Sequence, residues 1–314
     1  MMHHVQDRYW YTYGPNEPSV QLKPGDVVTV ETVDGANFDR EGNKLPDDKR
    51  HHGERGTLYE GVPLVGPFCV DGAEEGDALA VTLESIRLNR DTAWCTVLPH
   101  TVEGRSGALM LEGRTPSRRL TWQLDHDRNV ACTTLEASGG RRVEIPMRPF
   151  LGSIGVAPRY GAVQPALYCG EFGGNMDSPE MRAGTTVYFP VFARGGYLGF
   201  GDMHAAQGEG EICGAALETT GEVKFRVDVK KGWALEWPRA EDDEFLISIV
   251  NARPLDEAFR RAHFELVRWM TELGFDKWDA FQVLAQTGQA CAGNVVGNNC
   301  CVAAKLPKWV VETT

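Results

Sequence analysis

The chain has 314 residues, 42% of them hydrophobic and 24% charged, the proportions of a globular protein with room for one large domain or two lobes. A formal net charge of −12 excludes the basic footprint that nucleic acid or an anionic membrane surface requires. No run approaches the ~18 apolar residues of a membrane-spanning helix, and residues 1–13 carry His3, His4, Asp7 and Arg8 where a leader would be apolar, so a cytoplasmic location is expected.

Short strands separated by turn residues dominate the reading from the N-terminus onward. Residues 27–32 (VVTVET) alternate after Pro24-Gly25-Asp26, and residues 78–88 (ALAVTLESIRL) repeat the pattern after Glu75-Gly76-Asp77. Further strands are predicted at 186–192, 211–217, 223–229 and 244–250. In 223–229, Val223, Phe225, Val227 and Val229 share one face, the signature of an antiparallel strand with one wet side. Helical spacing takes over near the end. Leu255, Ala258, Ala262, Leu266, Met270 and Leu273 recur on one stripe, Gly274 marks the stop, and Asp276 is placed to cap a second helix. Trp269 and Trp278 read as packing anchors of these helices.

Strands followed by helices predict a mainly β chain, a sandwich or barrel with α+β additions, rather than alternating βαβ units. The best compositional break falls near 146–152. It suggests a β-rich lobe at 1–150 and a second lobe at 151–314 with the C-terminal helices, or one intertwined domain. Segments 34–61 and 160–184 are long, polar and glycine-punctuated, as functional loops often are. The eight cysteines contain no C-x-x-C pair and are expected to be free thiols in a reducing compartment. His52, His100 and Arg114 lie in polar stretches and read as surface residues.

The densest set of acid/base and metal-ligand types lies between Asn175 and Glu218. Asp202 and His204 are two apart, and two residues so spaced in an extended segment point to one side. A carboxylate and an imidazole on one side suit a divalent ion, with zinc the default for hydrolysis. Asp-x-His in a glycine-rich turn is by itself weak evidence, since Asp favours such turns for local reasons. Asn175 and Asp177 also fit a turn. If 211–217 is a regular strand, Glu211 and Glu218 fall on opposite faces, and one pocket could take both only through a bulge or from different sheet faces.

Several segments, in order, carry a resemblance. They are Gly66-Pro67-Phe68 with residues 70–77 (VDGAEEGD), Gly155-Val156-Ala157-Pro158, Gly173-Gly174-Asn175-Met176-Asp177, residues 184–191 (GTTVYFPV), residues 201–211 (GDMHAAQGEGE) and Glu218. Together they closely resemble the acetamidase/formamidase family over most of residues 22–290. The resemblance implies a jelly-roll-like β-sandwich with additional elements, homo-oligomers, a divalent metal such as zinc, and hydrolysis of a small aliphatic amide to ammonia and carboxylate. On the matching positions it implies Asp202 and His204 as metal ligands, Glu218 next and Asp34 behind them. Glu211 or Asp177 would then move protons, and Asn175 would stabilise the oxyanion. The chain departs from the family at Phe172, where a histidine is common, at residues 58–63, and at residues 294–311. The first of these suggests an aromatic wall and a larger or more apolar amide.

Two rival functions are weighed. A cysteine-dependent amidase would use Cys95, Cys169 or Cys213, but none sits in a nucleophile elbow or at a recognisable helix start. A non-catalytic ligand-binding sandwich would have no need of Asp202, His204 and Glu218 around one ion.

Overall fold

The protein is described by a computed structural model that covers residues 2–51, 61–98, 101 and 118–312. His52, His100, Arg114 and residues 58–60 of the departing segment 58–63 lie outside these. Strands make up 43% of the structure and helices 16%, and no closed barrel forms among the described residues. Among the described residues, no helix is long and apolar enough to cross a membrane.

Two large mixed sheets share the core. The nine-stranded sheet runs Met2–His4, Val27–Glu31, Gly221–Lys230, Ala78–Leu88, Thr186–Pro190, Arg239–Glu241, Phe245–Ala252, Cys300–Pro307, Gln289–Ala292. The thirteen-stranded sheet has a main path from Arg141–Pro146 through Val130–Leu135, Arg119–Asp125, Thr92–Thr96, Glu218–Thr219, Leu198–His204, Phe150–Gly155 and Gly173–Asn175 to Cys169–Gly170. Leu64–Val70 joins it beside Leu198–His204. Both sheets take strands from either side of residue 150, so no hydrogen-bonded unit ends there.

Alternation explains the layers. Val28, Val30, Leu79, Val81, Ile247 and Ile249 of the first sheet meet Val65, Phe68, Leu151, Ile154 and Phe200 of the second in one buried cluster. Leu246 and Val250 point the other way, under the helix Leu255–Glu272, whose Ala258, Ala262, Leu266 and Met270 are fully buried against them. A third cluster around Trp122, Ala131, Ala205 and Leu217 fills the far end of the second sheet.

Asp276 caps the second helix, Lys277–Thr287, accepting from the Trp278 and Asp279 backbone N–H groups. Gly274 carries φ +98° at the stop between the helices. Trp269 is an anchor, meeting Tyr188 edge-on and Trp233 at a tilt, but Trp278 is 63% exposed. The strand predicted at 211–217 is not there. Gly210, Glu211 and Gly214 all adopt positive φ, which breaks extended backbone, and the chain makes a turn over Glu209–Glu211 before a short strand at Glu218–Thr219.

Candidate metal centre

Five neighbouring strands of the second sheet carry or flank the site. His204 stands directly opposite Glu218, and Glu218 opposite Trp94, in antiparallel register. On the other side, Leu151 pairs with Met203 and Ser153 with Gly201, which puts Gly152 across from Asp202. Ser153 in turn pairs with Asn175, and the chain leaves that strand into Asp177. Glu211 arrives from the turn rather than from a strand, so the alternation that separated it from Glu218 in the sequence does not apply.

Four buried carboxyl groups thus gather around one buried imidazole. Ligand atoms of Asp202, His204 and Glu218 lie within 4.8 Å of one another, and so do those of Asp177, His204 and Glu211. His204 Nε2 is 3.5 Å from Asp202 Oδ1 and 3.2 Å from Glu218 Oε1. Asn175 Nδ2 donates to Asp177 Oδ2 at 2.8 Å, and its Oδ1 accepts from Ser153 Oγ at 2.6 Å. Asp34 stands apart. Its Oδ1 accepts from the Ala36 and Phe38 N–H groups, and its Oδ2 from Arg90 Nη2 at 2.8 Å and Trp94 Nε1 at 3.0 Å, so both oxygens are occupied. Its loop nonetheless forms one wall, since a Cβ on Gly35 would lie 3.0 Å from Glu218 Oε2.

The surroundings fix the imidazole. Gln207 Nε2 donates to the carbonyls of Asp177 and Gly293, which leaves its Oε1 to accept from His204 Nδ1 at 3.1 Å. The network therefore places one proton on Nδ1, and Nε2 faces the Asp202 and Glu218 carboxylates, which call for a positive charge between them, whether a second ring proton or a cation. Burial lowers the affinity of His204 for a proton, but Glu218 and Asp202 outweigh it and raise its pKa well above the usual imidazole value. Burial raises Asp177, with Glu211 and Asp202 adding to it. Burial also raises Glu211 and Glu218, against the pull of His204. Burial is the largest cause of the three carboxyl shifts, and the neighbouring negative charges add to it.

A cation fits this pocket on three observations. His204 Nε2, Glu218 Oε2 and Asp177 Oδ1 are buried with no hydrogen-bond partner among the described residues. Gly152 leaves a cradle, because a Cβ there would come within 2.6 Å of Asp202 Oδ2 and 2.7 Å of both Asp177 Oδ1 and His204 Cε1. Asp177, Asp202 and Glu211 hold φ of +45°, +59° and +49°, a conformation costing about 1 kcal/mol or more per residue and typical of functional sites. The donor set of one imidazole nitrogen and carboxylate oxygens suits zinc, iron or manganese.

Three contributors escaped the sequence reading. Gly152 lies inside the buried strand Phe150–Gly155, and a glycine in a strand is a signal of close approach. Gln207 lies within residues 201–211, where nothing local marks it for a role. Asn294, in the divergent C-terminal stretch, donates Nδ2 to Asp177 Oδ2 at 2.5 Å and had no local signal. Phe172 is buried in the core against Tyr13, ring centroids 5.4 Å apart.

The sequence model of the Acetamidase/Formamidase family matches residues 4–165 and 165–313, nearly the whole chain. The chain belongs to the Acetamidase/Formamidase family. A formamidase from Methylophilus methylotrophus is 28% identical over 271 residues, 69% of this chain. The matched part spans 63% of that formamidase's length. An acetamidase structure from Yersinia enterocolitica is 32% identical with a TM-score of 0.82, covering 100% of this chain and 94% of that one. An acetamidase structure from Bacillus halodurans, at 24% identity, shares the fold, with a TM-score of 0.82 over 99% of this chain and 98% of its own. Within this Acetamidase/Formamidase chain the cysteines are spectators to the cluster. All eight are free, and burial pushes the Cys95 and Cys169 thiols away from the thiolate form a nucleophile needs.

Proposed function

We propose that the chain is a metal-dependent amidohydrolase that cleaves a small aliphatic amide to ammonia and a carboxylate. The observation that carries this is the convergence of Asp177, Asp202, Glu211 and Glu218 on His204, with three buried polar atoms left unpartnered, in a member of the Acetamidase/Formamidase family. Asp202, His204 through Nε2, and Glu218 would hold a divalent cation, with zinc the first choice. When bound, such an ion supplies Lewis acidity, lowering the pKa of a water and polarising an amide carbonyl.

The side chains divide the remaining work. Glu211 and Asp177 sit within reach of one another and are both held toward the protonated state, so the pair can hold one proton between them. Glu211 takes the proton released as the water oxygen bonds to the carbonyl carbon. The same proton is delivered to the amide nitrogen as the carbon–nitrogen bond breaks, and ammonia leaves. Asn175 spends one N–H on Asp177, and its second can donate to the developing oxyanion. Ser153 and Asp177 fix the orientation of that amide group.

Eight free thiols are in keeping with a reducing, cytoplasmic setting, which we assign to the enzyme together with a homo-oligomeric state. The test is elemental analysis of the purified protein with ammonia release from formamide, acetamide and propionamide, before chelation, after it, and after metal return. Loss on chelation and recovery on return is the expected result. Activity untouched by complete metal removal would sink the metal role.

A further inference from the structure

Tyr13 lies on a small two-stranded sheet, Thr12–Tyr13 paired with Gln164–Pro165, and is 2% exposed. Ile154 and Met203 turn into the core between the two large sheets, so their neighbours Ser153, Gly155 and His204 face the other way, to the side of the centre. The Tyr13 ring lies along that face. A Cβ on Gly155 would come 3.2 Å from its Cε1, and the hydroxyl end points on toward Ser153, whose Oγ–H donates to Asn175 Oδ1 at 2.6 Å. The phenol oxygen is buried and closes no hydrogen bond with any described residue. We propose that Tyr13 is a catalytic residue whose O–H donates, beside the free N–H of Asn175, to the amide carbonyl oxygen as it gains negative charge. The inference rests on the amidase reading and completes its oxyanion site.

Packing alone does not call for the hydroxyl. The ring meets Phe172 at a tilt, and a phenylalanine would make the same contact without a polar atom to bury. Burying a hydroxyl with no partner costs free energy, so a group kept in that state asks for a use. Burial, with Asp202 and Asp177 adding to it against the pull of Ser153, holds the phenol well above its usual pKa. At neutral pH it therefore keeps its proton and stays a donor. Donors already in place where charge develops need no reorganisation during reaction, which is the arrangement acyl transfer rewards.

Steady-state kinetics of the metal-replete parent and of Tyr13→Phe on acetamide and propionamide test this. The kcat should fall about 100-fold or more while KM stays within about threefold, the mark of a contact made in the transition state. Zinc affinity against a competing chelator should be unchanged. The melting temperature should equal the parent's or exceed it, because the variant buries no unpartnered hydroxyl. A kcat within about threefold of the parent overturns the inference. So does a variant that melts lower, binds zinc more weakly or fails to fold, since the hydroxyl then serves the structure. The Ser153→Ala background separates direct contact from action through Ser153. Tyr13→Phe should cost the same factor there, and a factor near one would make Tyr13 a positioning residue and overturn the contact. A metal-replete parent that releases no ammonia from any amide fails the amidase reading itself and takes this inference with it.

Discussion

Replacing Gly152 with alanine would push a methyl group into the space shared by the Asp177, Asp202 and His204 side chains, which are buried and packed against one another. Gly152→Ala should therefore lower metal affinity about 10–100-fold, the range for disturbing a supporting shell, with far-UV circular dichroism unchanged. Metal titration against a competing chelator reads the first, and a normal affinity would show that the cradle is not where the cation sits. Asp202 and His204 were legible as a pair because their spacing is local. Gly152 was not, because its meaning depends on the strand that lies across from it. Asn294 was the least legible of all: 117 residues separate it from the Asp177 carboxylate it supports.

At the scale of elements, caps and turns make independent contributions. Asp276→Ala removes the acceptor for two N–H groups at the start of Lys277–Thr287 and should cost about 1 kcal/mol, seen as a small drop in the unfolding midpoint with activity intact. Asp77 closes the turn before strand Ala78–Leu88. Burial works to raise its pKa, but Lys231 Nζ at 2.6 Å and the Gly232 and Glu74 N–H groups at 2.8 and 2.9 Å outweigh it, holding the carboxyl below its usual value. A group depressed on folding stabilises above its unfolded pKa and loses that contribution as pH falls through the folded one. Asp77→Asn should thus be less stable than the parent at neutral pH, and the difference should close below pH ~4. Denaturant midpoints across pH measure this, and a gap that persists in acid would contradict it.

The amphipathic helices and alternating strands were readable from their period alone. The strand expected at 211–217 failed because Gly210 and Gly214 adopt positive φ, and Glu211 with them. Without an intervening strand, Glu211 enters the same pocket as Glu218 from another direction.

For the whole molecule, a cation that binds the folded chain and not the unfolded one must raise its stability. Free zinc at a hundred times its dissociation constant should add about 2.7 kcal/mol, seen as a rise in melting temperature. His204→Ala should abolish that response, since both ligand triads share this imidazole. An equal shift in the variant would place the binding elsewhere. The sequence by itself determined the mainly β class, the C-terminal helices, the acidic surface and the family, because periodicity, capping and composition are local properties and matching segments keep their order. Only the tertiary structure decided that Asp34 belongs to Arg90, that Glu211 and Asp177 join His204, and that Gly152, Gln207 and Asn294 support them. These roles depend on which strands lie side by side, and that pairing is set by burying two sheets against each other across the whole chain.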